Sequence, residues 1–112
     1  MSAATSAMQD YETTYRDATM DVPEFYNFGF DVVDRWATDR TKLALISVDP
    51  SGEEAEQHTF WDLKMLSNKF ANALRDLGIS KGDRVFVMLP RIPQWYVVLV
   101  GMMKLGVIPM PA

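Results

Sequence analysis

Between Arg91 and Gly106 the only polar side chains are Gln94 and Lys104. A helix over residues 92–105 is therefore apolar nearly all round, whereas a helix on a protein surface shows a polar face. Such a helix needs cover on both sides, more than roughly 90 ordered residues readily supply. The chain also stops within Val107-Ile-Pro-Met-Pro-Ala112, which reads as the start of a strand weakened by Pro109 and Pro111. From these features the 112 residues are expected to be an N-terminal piece of something larger. The competing reading is a membrane anchor, since residues 92–112 are long enough to cross a bilayer. Lys104 near the middle of that span would cost about 3 kcal/mol or more. Three prolines and two glycines also interrupt it, so no membrane span is expected.

The elements before this helix follow from periodicity. The spacing of Phe60, Leu63, Leu66, Phe70, Leu74 and Leu77 predicts a helix over 60–77. Thr59 is its cap, Asp62 stands at the third helical position, and Gly78 closes it. Arg84-Val-Phe-Val-Met-Leu89 reads as an uninterrupted apolar strand, the pattern of a strand buried on both faces in a parallel sheet. Pro93 suits the first turn of the next helix. Helix, strand, helix and strand in that order predict an α/β fold with a mostly parallel sheet. Upstream, Lys42–Val48 and Glu56–Thr59 around the turn Asp49-Pro-Ser-Gly52 predict a small hairpin. A helix starting at Asn27 would put Phe30, Val33 and Ala37 on one face and let Asp31 pair with Arg35. Tyr11 and Tyr15 can share a face of a short helix. Residues 1–9 are small and polar and are expected to be unstructured. The expected organisation is an acidic, flexible arm over 1–24 and a partial subdomain over 25–112.

Charge is segregated along the chain. Residues 1–26 hold Asp10, Glu12, Asp17, Asp21 and Glu24 against Arg16 alone, while the remainder is balanced. No basic stripe is present, which argues against a nucleic-acid partner. The opening residues lack the features of a signal or transit peptide, and a cytoplasmic location is expected. The absence of cysteine excludes a disulfide framework and a thiolate nucleophile or metal site. His58 is the only histidine, which excludes a multi-histidine metal site.

Candidate chemistry is sparse. Gly78-Ile-Ser-Lys-Gly-Asp83 joins a helix to a strand, the reverse of a phosphate loop, and reads as a cap and turn. His58 has no nucleophile or acid placed beside it by sequence. Asp62, Asp76 and Asp83 lack the spacing of a carboxylate dyad and read as capping or solvated charges. Trp36, Trp61, Trp95 and Tyr96 could form a ligand-stacking set, but read first as core or interface anchors. Met102 and Met103 read as packing. Arg91 follows a presumed parallel strand, at the edge where open α/β sheets bind ligands. It is the single residue whose placement points to a site.

Gly82-Asp-Arg-Val-Phe-Val-Met-Leu-Pro-Arg-Ile-Pro-Gln-Trp-Tyr96, followed by Gly101-Met-Met-Lys-Leu-Gly-Val-Ile-Pro-Met-Pro111, resembles the N-terminal part of AMP-forming acyl-CoA synthetases of the adenylate-forming superfamily. Thr59-Phe-Trp-Asp-Leu63 and Leu74-Arg-Asp-Leu-Gly78 resemble the helix that precedes it. Tyr26-Asn-Phe-Gly-Phe-Asp31 and Leu89-Pro-Arg-Ile-Pro-Gln-Trp95 look most like the medium-chain acyl-CoA synthetases. The resemblance implies a reaction of a carboxylic acid, ATP and CoA, with Mg²⁺, through an acyl-adenylate to acyl-CoA, AMP and pyrophosphate. It also implies that the phosphate-binding loop, the ribose-binding acid and the catalytic lysine lie downstream. No catalytic, cofactor-binding or metal residue is therefore assigned here. The segment is expected to be a scaffold, inert alone, whose partner is the rest of the same polypeptide and whose exposed apolar surface favours self-association. The alternatives are a self-contained small α/β binding module, which would hide its apolar surface, or a piece of another adenylate-forming enzyme.

Overall fold

The computed structural model describes residues 10–112, so the reading of residues 1–9 lies outside the described residues. Helix α1 (Tyr11–Asp17) is capped by Asp10, whose carboxylate accepts from Thr13. The rings of Tyr11 and Tyr15 stack with centroids 5.9 Å apart, as the four-residue spacing predicts. Every residue from Asp10 to Tyr26 is exposed.

The next segment departs from expectation. Gly29–Asp34 winds as a π-helix rather than an α-helix. Asn27 still caps it: its Oδ1 accepts from the Gly29 N–H at 2.9 Å, and its Nδ2 donates to the Met103 carbonyl at 2.8 Å. Asp31 does not pair with Arg35. Its carboxylate instead accepts from the Asn27 N–H at 2.6 Å, at the start of the segment. Val33 and Ala37 are buried as the periodicity predicts, while Phe30 stays half exposed.

Strands β1 (Leu43–Val48) and β2 (Ala55–Thr59) form the antiparallel hairpin. Leu45 faces His58 and Val48 faces Ala55, with an irregularity between Leu43 and Leu45. Helix α2 (Phe60–Asp76) starts at a full capping box and ends at Gly78, which adopts φ +86°. There the Ile79 N–H reaches the Leu74 carbonyl and the Gly78 N–H that of Arg75, so the last carbonyls are satisfied.

Strand β3 (Arg84–Val87) is shorter than the apolar run that predicted it. Helix α3 (Pro93–Leu105) has Pro93 in its first turn and ends at the left-handed Gly106. Strand β4 (Ile108–Pro111) then pairs parallel with β3, Arg84 opposite Ile108 and Val87 opposite Pro111. Its prolines are tolerated by alternation. Ile108 and Ala112 donate to Asp83 and Val87, while Pro109 and Pro111 take the positions whose nitrogens point off the free edge.

Helices α2 and α3 cross where side chains are smallest. A Cβ on Gly101 would stand 2.9 Å from the Ser67 carbonyl oxygen, and Ser67 is fully buried. Leu74, Val87, Met102 and Val107 form the core between these helices and one face of the β3–β4 sheet. Leu66 and Leu77, placed on the packing stripe by periodicity, lie outside it, Leu77 being 77% exposed. The expectation that β3 is buried on both faces is corrected as well: within this chain Phe86 is 77% and Met88 81% exposed on the uncovered side.

Candidate functional site

The β3–α3 connection borders a concave surface. The chain leaves β3 at Val87 and turns through Leu89-Pro-Arg-Ile92 into α3. Across from this loop stands the outer part of β1, and between them lies a cleft of about 500 Å³. Arg91, Trp95 and Tyr96 line one wall; Leu45, Ser47 and Val48 line the other. Arg91 therefore sits where the sequence placed it, at the C-terminal end of a parallel strand. Its guanidinium is the only charged group of the lining. The cleft can hold an apolar chain beside one cation; it holds no acid–base pair and no nucleophile with a base.

A smaller, more apolar hollow of about 230 Å³ lies behind the hairpin, walled by Leu45, Phe60, Leu63 and Val97. His58 borders it. The His58 Nε2 is 3.4 Å from a Glu56 carboxylate oxygen but makes no hydrogen bond, and no catalytic partner stands beside it. Asp62 belongs to the α2 cap. It accepts from the Thr59 N–H at 2.8 Å and the Thr59 hydroxyl at 2.9 Å, which together with the nearby His58 hold its carboxyl below the usual aspartate value. Asp83 accepts from the Ser80 N–H within the turn before β3. The three aspartates are thus not brought together. The loop from Gly78 to Asp83 is the cap and turn expected, with left-handed Gly78 and Gly82.

The aromatic residues divide into two groups. Trp95 packs on the core and meets Tyr96 edge to face at 5.4 Å. Trp36 and Trp61 lie apart from them under a canopy of cations. Arg40 stands 4.0 Å over the Trp61 ring, Lys64 5.4 Å from it, and Lys42 4.5 Å over Trp36. Sequence reasoning missed this basic–aromatic surface because its members come from two separate stretches, 36–42 before β1 and 61–64 in α2. The alternation of Trp36, Arg40, Lys42, Trp61 and Lys64 was its only trace.

Sequence reasoning also missed the fate of Lys104. Its ammonium is buried, 2.7 Å from Asp34 Oδ1 and 2.7 Å from Asn68 Oδ1. The signal was available: a lone lysine in an apolar helix must find a counter-charge.

The residues present do not fit ATP, Mg²⁺ or CoA. Among the described residues no group of three or more histidines or carboxylates could hold a metal ion. The loop leaving β3 carries Pro90 and Pro93, which lack the N–H donors that a phosphate cradle needs. Nor is any helix among the described residues long and apolar enough to cross a membrane.

Comparison with known proteins places this geometry. Residues 32–112 match the AMP-binding enzyme family. The chain is 37% identical over 109 residues to the rat protein named Acyl-coenzyme A synthetase ACSM3, mitochondrial, covering 91% of this chain and 19% of that protein. It is 36% identical over 111 residues to human Acyl-coenzyme A synthetase ACSM4, mitochondrial, covering 93% of this chain and 19% of that one. The chain thus spans about a fifth of the length of these relatives. Among solved structures it is similar to the N-terminal domain of FACL13 from Mycobacterium tuberculosis, with TM-score 0.65 and 30% identity over 79% of this chain and 21% of that one. The N-terminal subdomain of Klebsiella oxytoca NpsA shares the fold, with TM-score 0.67 and 22% identity over 79% of this chain and 22% of that one.

Proposed function

The chain belongs to the AMP-binding enzyme family, and from that membership we propose that it is a scaffold segment of an ATP-dependent, AMP-forming acyl-CoA synthetase. The enzyme joins a carboxylic acid to CoA, converting ATP to AMP and pyrophosphate. The observation that carries this reading is the identity of more than a third, sustained over 109 residues, with proteins named as acyl-coenzyme A synthetases. Residues 25–112 form part of its N-terminal subdomain, and residues 1–24 are an arm outside it.

The role of the segment itself is structural. Its buried core joins two helices to one sheet face, while Phe86 and Met88 on the other face stand open for the rest of the polypeptide. Its cleft carries a single charge, too little for phosphoryl transfer, which requires several positive groups around the transferring phosphate. Acting alone, the 112 residues are inert.

The test is product analysis. A polypeptide that carries this segment within a chain of the relatives' length should, given a carboxylic acid, ATP, Mg²⁺ and CoA, release AMP and pyrophosphate in step with acyl-CoA. Formation of ADP and phosphate would overturn the reaction class. Exchange of pyrophosphate into ATP by the 112 residues alone would overturn the scaffold role. A cytoplasmic location is part of this proposal; a tagged chain that follows a mitochondrial marker would reverse it.

A further inference from the structure

The net charge of −4 belongs to the first 26 residues, five acids against one base, and everything after them is balanced. Among the described residues, 10–26 make hydrogen bonds and ion pairs only with one another. All residues from Asp10 to Tyr26 are exposed, including Tyr11, Tyr15, Met20, Val22 and Phe25. So acidic a segment with six large apolar side chains in water, Tyr26 among them, has the makings of one half of an interface. The opposite half is on the same molecule. Arg40, Lys42 and Lys64 stand over Trp36 and Trp61, and Trp36 lies 6.4 Å from Phe60. Among the described residues none of these three cations has a carboxylate partner.

We propose that the acidic stretch 10–26 of one chain docks on the Arg40–Lys42–Lys64 surface of a second copy, and the reverse, giving a two-fold dimer. Charge complementarity selects the pair: Asp17, Asp21 and Glu24 supply the carboxylates that Arg40 and Lys42 lack. The tyrosines of α1 supply rings for the rims of Trp36 and Trp61. Contact with the patch of the same chain is the competing arrangement, and the mixing experiment below separates the two. The proposal is independent of the reaction the enzyme performs.

The test uses two full-length variants. The first carries Arg40→Glu and Lys42→Glu; the second carries Asp17→Lys, Asp21→Lys and Glu24→Lys. All five positions are exposed, so folding is preserved, and circular dichroism checks it. Sedimentation velocity should show the unaltered chain dimerising in a salt-sensitive way. Each variant alone should dimerise roughly tenfold more weakly or worse. An equimolar mixture of the two should recover the dimer, since each arm then meets a patch of opposite sign. Three results would overturn the proposal. One is an unaltered chain that is monomeric throughout. Another is self-association undiminished in both variants, which would place the contact on the open sheet face. The third is a mixture that fails to dimerise while a chain carrying both reversals regains unaltered behaviour, which would make the contact intramolecular.

Discussion

The Lys104 ammonium lies 2.7 Å from Asp34 Oδ1, with only 2% of the lysine side chain and 15% of the aspartate side chain exposed. Asn68 accepts a further hydrogen bond from the same nitrogen. This cluster pins the π-helical segment to α2 and α3. Burying two charges is costly, and the pair adds little over an apolar substitute, but a lone partner is worse still. Asp34→Ala should therefore destabilise the chain by about 3–5 kcal/mol, because it strands a buried cation. Lys104→Met combined with Asp34→Asn should cost much less. Urea unfolding followed by tryptophan fluorescence checks both; equal losses would show that the pair itself, rather than an uncompensated charge, sets the stability.

Two glycines separate space from backbone conformation. Gly101 has helical geometry but no room, since a Cβ would stand 2.9 Å from the Ser67 carbonyl and from a Phe70 ring carbon. Gly78 has room but a left-handed φ of +86°, with nothing within 4 Å of an added Cβ. Gly101→Ala should force α2 and α3 apart and cost about 1–3 kcal/mol. Gly78→Ala should cost about 1–2 kcal/mol through backbone strain alone. Thermal unfolding gives the magnitudes. Amide shifts give the distinction: they should spread across both helices in the first variant and stay beside the turn in the second.

Much of the fold could be read from residue order. Thr59 with Asp62, Gly78, Pro93 and Gly106 mark helix ends by chemistry that acts within a few residues, and each stands where that chemistry placed it. Arg91 at the strand end was legible for the same reason. What failed was non-local. The π-helical segment packs closely on Lys104, 75 positions away from Gly29: a Cβ on Gly29 would sit 2.5 Å from Lys104 Cγ. The exposed sides of Phe86 and Met88 carry the composition of a buried strand, and composition does not state whether the covering layer lies within these 112 residues. The basic–aromatic surface draws on residues 36–42, between the π-helix and β1, and on the first turns of α2, and no local spacing joins them.

Thr59 and Asp62 couple the start of α2 to pH. Hydrogen bonds from the Thr59 N–H and hydroxyl, with the charge of His58, lower the Asp62 value below that of a free aspartate. A group depressed in the folded state stabilises fully above its unfolded value, about 3.9, and loses that contribution as pH falls through the folded value. The chain should therefore lose this part of its stability only in acid. Thr59→Ala should cost about 1 kcal/mol near neutral pH and return the Asp62 titration toward the ordinary value. Carboxyl NMR shifts followed against pH in both proteins measure it. An unchanged Asp62 titration in Thr59→Ala would show that the cap does not set the carboxylate.

Phe86 and Val87 are neighbours on β3 whose side chains leave opposite faces of the sheet. Val87 is 3% exposed, against Leu74 and Met102, while Phe86 stands on the open face. Val87→Ala should cost about 2 kcal/mol, the loss of buried methyl groups plus the cavity they leave. Phe86→Ser should change the stability of the isolated 112 residues by no more than about 0.5 kcal/mol. It should also reduce the binding of a dye that reports exposed apolar surface. Within a chain of the relatives' length the same Phe86→Ser change should become destabilising, because the scaffold reading has further protein packing on that face. Equal tolerance of Phe86→Ser in the long and the short chain would show that the open face of β3 stays in solvent, and would leave the segment without the contact that ties it to the rest of the enzyme.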